Sequence, residues 1–279
     1  MAQAGSDILF ENIFDGLEKF GFEVLADKSI DIFETKTKKP AAAEEGAEKV
    51  FDINDYVYAK KFNCPVCLEN FESFVVRSSK TKLEGVEFDL RPIHSPINHL
   101  FYDVLCCPSC GYTAVTKAFD KITTRQAELV LVELKPLYKH QPYPIEPAID
   151  EVIDRYKLAL LNATIRKAKH GEKAYICMKL TWLYRIKGDD LENEEKFATL
   201  TIRGFMQALE NEVTPIMGIE EVTLLYVIAA FSKFMGNYKN ALKILSTIIT
   251  SRKTSERLKE RSRDLRDEIN AQISLDKNA

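Results

Sequence analysis

From Ile149 to the end of the chain, apolar residues return every three or four positions, and short runs of glycine, asparagine or aspartate interrupt the pattern. That period lays one apolar stripe along a helix and predicts helices over 149–169, 172–187, 192–212, 220–235, 238–252 and 255–274. The breaks at Gly171, Gly188-Asp189-Asp190, Met217-Gly218 and Gly236-Asn237 are short, which suits antiparallel helix pairs. Earlier in the chain the pattern is different. Ser6 can cap a helix whose apolar positions Phe10, Ile13, Phe14 and Leu17 precede Gly21, and two short strands follow at Phe22–Ala26 and Ile30–Phe33. Thr35 to Lys49 carries no large apolar side chain and reads as a mobile linker.

Strand-like stretches then flank two cysteine-bearing turns. Tyr56–Phe62 leads into the first turn, Phe71–Val76 leads out of it, and Phe101–Cys106 leads into the second. Thr123 to Lys139 is helical in pattern, with Ala127, Leu131 and Leu134 on one stripe. Pro142, Pro144 and Pro147 forbid its continuation and mark a boundary. The expected fold class is therefore α+β, with four segments. Residues 1–34 form an amphipathic helix with short strands, 35–50 a linker, 51–140 a small β module with a trailing helix, and 148–276 an all-α domain.

One helix pair resembles a tetratricopeptide repeat. Leu225, Ile228 and Ala229 lie in its first helix, Gly236-Asn237-Tyr238 at the turn, and Ala241, Leu245 and Ile248 in its second. Small residues let the helices approach, and the apolar ones fill the seam. Trp182 to Asp189 is a weaker echo upstream. The 48 residues from Gly188 to Gly236 exceed the usual period of about 34, so the repeats are degenerate. Such an array suits a groove for a peptide or helix, and equally a plain scaffold or a homo-oligomer surface.

The most specific chemical signal is the pair of motifs Cys64-Pro65-Val66-Cys67 and Cys107-Pro108-Ser109-Cys110. Together they supply four thiolates, the number a tetrahedral zinc ion takes in a closed structural site. Iron also accepts thiolates, and a single pair of this spacing can be a redox dithiol, but two pairs outside a β-α-β context point to structural metal. Zinc bound in this way contributes about 10–16 kcal/mol to folding small modules. Cys106 stands next to Cys107. Strand alternation puts the two on opposite faces, assigning Cys107 to the metal and Cys106 to packing. Cys177, inside a helix, reads as a small buried hydrophobe. His94 and His99 lie in the 39-residue segment between the pairs and read as loop histidines, since four thiolates already fill a site.

Charge narrows the partners. The net charge of -3 in 279 residues offers no bulk attraction to polyanions. Lys80, Lys82, Arg91, Lys117, Lys121 and Arg125 could line a phosphate-binding face, but nine basic residues meet nine acidic ones from Phe51 to Arg125, which disfavours nucleic acid. No apolar run approaches the roughly 20 residues that span a bilayer, and residues 1–7 lack a basic leader, so the cytoplasm is the expected compartment. The 252–268 stretch, with seven basic and five acidic residues, reads as a solvated helix with pairs such as Arg257 with Glu260 and Arg261 with Asp264. Neither a Gly-rich phosphate loop nor a His-Glu-x-x-His helix is present, so a non-enzymatic role is expected.

The order of features resembles a bacterial family known as domain of unknown function 2225. The resemblance rests on the two cysteine motifs, Val76-Arg77-Ser78-Ser79-Lys80, Tyr102-Asp103-Val104, Gly111-Tyr112, Leu180-Thr181-Trp182-Leu183-Tyr184-Arg185, Leu224-Leu225-Tyr226 and Gly236-Asn237-Tyr238. It covers roughly Val57 to Ile273 and implies a bacterial cytoplasmic protein with a zinc-ribbon-like module fused to tetratricopeptide-like helices, with no established activity. Cys106 departs from the apolar residue expected beside the second pair, and the first fifty residues fall outside the likeness. The expected function is a zinc-binding adaptor that holds a protein partner through its helices. A zinc-ribbon regulator with Arg77, Lys80 and Lys82 on phosphate and a thiol-based sensor are the alternatives.

Overall fold

The computed structural model describes residues 51–276, together with Lys19 and residues 9–10 and 30–31. Among them are four two-stranded antiparallel sheets and a larger helical body. Strand β1 (Leu9–Phe10) pairs with β2 (Ile30–Asp31). Strand β2 lies within the stretch expected to be extended, whereas Phe10, expected on a helical stripe, is in a strand. Pairing between segments distant in sequence overrides the local 3.6-residue period there. The Ser6 cap, the Gly21 stop, the strand at 22–26 and the linker at 35–49 lie outside the described residues.

β3 (Val57–Asn63) and β4 (Asn70–Val76) form the first ribbon, in register from Val57 opposite Val76 to Asn63 opposite Asn70. A second hairpin, β5 (Lys82–Val86) with β6 (Pro92–Ser95), follows where no element was expected. Its connection, Glu87 to Arg91, has no glycine or asparagine to announce a turn. Leu90 takes the positive φ of 70° instead, and the Glu87 amide donates to the Arg91 carbonyl at 2.9 Å. A third ribbon pairs β7 (Val104–Cys106) with β8 (Thr113–Val115).

Short helix α1 (Thr116–Phe119) leads to α2 (Thr124–Leu129), which opens on a capping box between Thr123 and Gln126. The helix expected to run to Lys139 instead widens into a π-helical turn over Val130–Leu134, closed by the Lys135 amide on the Val130 carbonyl at 2.9 Å. The body consists of α3 (Ile149–Ile165), α4 (His170–Lys187), α5 (Leu191–Asn211), α6 (Glu221–Phe234), α7 (Tyr238–Thr250) and α8 (Glu256–Asp276). Only α3 stops markedly early. Lys167, at φ 55°, takes the left-handed position usually left to glycine, and the Ala168 amide closes on the Ala163 carbonyl at 2.8 Å.

One continuous cluster of buried side chains runs from Cys64 and Phe71 in the first ribbon, through Tyr112, Val115 and Phe119, to Tyr156, Leu183, Phe197 and Phe231 in the helices. Helix α3 carries much of this joint. Its Asn162 accepts from the Thr113 amide at 3.1 Å and donates to the Gly111 carbonyl at 3.2 Å, while the Tyr156 hydroxyl donates to the Leu100 carbonyl at 3.0 Å. Ala229 and Ala241 meet in a second cluster, with Leu245, Ile248, Leu265 and Ile269, that joins α6, α7 and α8.

The unforeseen β5–β6 hairpin is fastened to the helices by charge. Arg185 pairs with Glu87 at 3.0 Å, with fully buried Asp89 at 2.6 Å and with Glu194 at 2.8 Å. The Trp182 indole also donates to Asp89, at 3.0 Å. Arg261 donates to the Val86 carbonyl at 3.0 Å rather than pairing with Asp264 as expected, because α8 packs against this hairpin. None of the described helices is long and apolar enough to cross a membrane.

Candidate metal centre

Both cysteine motifs sit in the turn of a ribbon, and the two turns are built alike. In the first, the Leu68 amide donates to the Cys64 carbonyl and the Cys64 amide to the Glu69 carbonyl, both at 2.9 Å. In the second, the Gly111 amide donates to the Cys107 carbonyl at 3.0 Å and the Cys107 amide to the Tyr112 carbonyl at 2.9 Å. The residue after the second cysteine has positive φ in each case, 64° at Leu68 and 74° at Gly111. This conformation folds the turn back so that both sulfurs of a pair point to one side. Pro65 and Pro108 fix φ at the residue after each first cysteine.

At Gly111 the demand is also steric. A Cβ there would lie 2.4 Å from Cγ of the Tyr138 ring, so only glycine fits beneath it. Leu68 faces solvent instead and has room for its side chain.

The two turns meet head to head. Cys64 Sγ is 3.7 Å from Cys110 Sγ, Cys67 Sγ is 3.5 Å from Cys107 Sγ, and all four sulfurs lie within 4.8 Å of one another. Cys64, Cys107 and Cys110 are fully buried and Cys67 is partly exposed; all four are free thiols. Phe71, Phe119 and Tyr112 pack in sequence beside the cluster, with ring centroids 5.9 Å and 4.9 Å apart.

In this setting the thiols of Cys107 and Cys110 donate toward Cys64 and bring its pKa down to about 4. The same hydrogen bonds, with Cys107 and then Cys64, push Cys110 strongly upward. The negative charge thus settles on Cys64, beside the tightly held proton of Cys110. A dication at the centre would stabilise every thiolate at once.

The adjacent cysteines part as strand alternation requires. Cys106 is buried outside the cluster, its Sγ 3.3 Å from the Tyr138 hydroxyl, which in turn lies 3.3 Å from His140 Nδ1. Cys177 is buried within α4. His94 and His99 are not part of the sulfur cluster, but they are not loose loop histidines either, since their rings stack 3.8 Å apart. Sequence reasoning missed this pair, because His94 reaches it on the unannounced β6. It also missed Tyr138 and Asn162, which touch the second turn from 27 and 51 residues beyond Gly111.

Three of the six basic residues that could line a phosphate-binding face are engaged within the protein. Lys82 pairs with Glu84, Arg91 with Glu87, and Lys117 donates to the Met217 carbonyl.

No curated protein and no solved structure matches the chain. A family described as "Uncharacterized protein conserved in bacteria (DUF2225)" matches residues 57–269, a span holding both cysteine turns, the stacked histidines and most of the helical body. The chain belongs to this family.

Proposed function

We propose that the protein is a non-enzymatic, zinc-binding adaptor of the cytoplasm, in which the metal fixes the two cysteine turns and the helices hold a protein partner. The convergence of four thiols carries this reading. Tetrahedral zinc with bonds of about 2.3 Å requires sulfurs about 3.8 Å apart. The observed 3.5 and 3.7 Å separations suit one ion, whereas ligands of a multi-iron cluster surround a larger body. Cys64, Cys67, Cys107 and Cys110 would be its ligands. They fill the coordination shell and leave no open position for water or substrate, so the ion's work is structural.

The partner surface belongs to the helices. The α6–α7 pair, closed by Ala229 and Ala241 across a turn at Gly236 (φ 70°), supports a tetratricopeptide-like reading. Beside it, a groove of 470 Å³ is lined by Phe88, Phe234, Tyr238 and Leu275, with Lys233 and Glu268 at its polar edge. Apolar walls with a charged rim suit an amphipathic segment of another polypeptide.

Crosslinking in native cells followed by mass spectrometry tests the reading. One reproducible protein partner with crosslinks at Lys233 or Lys239 is expected, and its loss on Phe234→Glu would tie it to the groove. Recovery of nucleic acid, or of no partner dependent on Phe234, would contradict it.

A further inference from the structure

A second site lies away from the sulfurs. A cleft of 380 Å³ opens between the ribbons and the helical body, with Ser78, His94, Asn98, His99, Asp103 and Lys179 among its walls. These residues come from far apart in sequence: His94 from β6, His99 from the 3-10 turn His99–Tyr102, and Lys179 from α4. The imidazole planes are 4° from parallel, and the centroids are 3.8 Å apart. His99 Nε2 lies 2.8 Å from the Thr81 hydroxyl, whereas His94 has no hydrogen-bond partner among the described residues.

At the inner wall, the almost fully buried Lys179 ammonium pairs with Asp103 at 2.6 Å. Burial works against its charge, but Asp103 and Tyr175 outweigh burial and raise its pKa. The nitrogen-bearing groups of the cleft thus face a single carboxylate, and Lys179 already engages it. Asn98 spends its Oδ1 on the Leu100 amide at 3.1 Å, which leaves its NH2 to donate. The cleft has donors and latent positive charge, and its one lining carboxylate, Asp103, is taken up by Lys179.

We infer that this cleft binds a small oxyanion, a carboxylate or a phosphate, held by the edges of the stacked His94 and His99 rings with Lys179 behind them and Ser78 and Asn98 donating to it. Stacked imidazoles share a second positive charge poorly, and an anion at their edge removes the obstacle. Burial depresses His94, while burial and then the charge of His94 depress His99. The other charged or titratable groups lining the cleft are Tyr102 in the 3-10 turn, Asp103 just after it, and Lys179 on α4. Where both rings are neutral in the free protein, binding takes up a proton. Affinity therefore rises as pH falls, by up to about tenfold per pH unit for one proton. The site is independent of the cysteine cluster and of the partner groove.

The test follows the histidine ring signals of the full-length protein by NMR, assigned with His94→Gln and His99→Gln. Inorganic phosphate, acetate and chloride are titrated at matched ionic strength, at about pH 8 and about pH 6. Saturable shifts of both rings by phosphate or by acetate, tighter at the lower pH and beyond any chloride effect, are expected; which of the two saturates names the source. His94→Gln should weaken binding at least about tenfold with the thermal midpoint unchanged. If that variant fails to fold, the wild-type ring titration decides alone. Shifts no larger than with chloride, binding that persists in His94→Gln, or rings that respond to nickel but to neither oxyanion would overturn the proposal.

Discussion

Leu68 and Gly111 hold the same place in two similar turns, yet one side chain is tolerated and the other excluded. Both have positive φ, but only Gly111 lies under the Tyr138 ring. Gly111→Ala should cost about 1–3 kcal/mol in thermal or urea unfolding, because the Tyr138 ring must move. Leu68→Gly should stay within about 1 kcal/mol of wild type, relieving the left-handed backbone while adding chain entropy. Equal losses at the two sites would contradict the steric account. The cysteines separate in the same way: Cys107→Ser should abolish metal retention, while Cys106→Ala should keep it, as read by metal analysis of the purified variants. The parting of Cys106 from Cys107 was legible in the sequence, since alternation along a strand is a local property. The Tyr138 lid and the His94–His99 stack were not, because residues brought together by tertiary structure make them and no local period records them.

At the scale of elements, periodicity served the helices well and the hairpins unevenly. Helices α4 to α8 fall within a few residues of their expected spans, because a 3.6-residue apolar stripe is strong over 13 to 21 residues. The β5–β6 hairpin left no such trace. Its strands are short, its turn lacks glycine, and its stability comes from Asp89 and Glu87 reaching Arg185 on α4. Asp89→Ala removes one of the three carboxylates around Arg185 and leaves the Trp182 indole without its acceptor. Loss of these charge-assisted hydrogen bonds should cost about 1.5–3 kcal/mol. Hydrogen exchange should then speed up selectively over residues 82–95. Uniform protection across the chain in Asp89→Ala would contradict the view that this charged knot fastens the hairpin.

The cysteine turns and most of the helical body share a core, since one buried cluster links the turns to α3, α4, α5 and α6. Loss of metal should therefore be felt beyond the ribbons. Chelation is expected to lower the thermal midpoint of the helical signal along with that of the ribbons, in a single transition. Two separate transitions, with the helical one unmoved, would mean that the joint transmits little. The sequence marked a boundary at Pro142 to Pro147, where the chain does leave regular structure, but the packing of Asn162 and Tyr156 across that point could not be read from it. The central claim, that four sulfurs hold one ion, is tested most directly by metal analysis combined with X-ray absorption of the purified full-length protein. The account predicts one zinc per chain in a shell of four sulfurs at about 2.3 Å, lost in Cys107→Ser. Protein that is folded without bound metal, or a shell containing nitrogen or oxygen ligands, would contradict it.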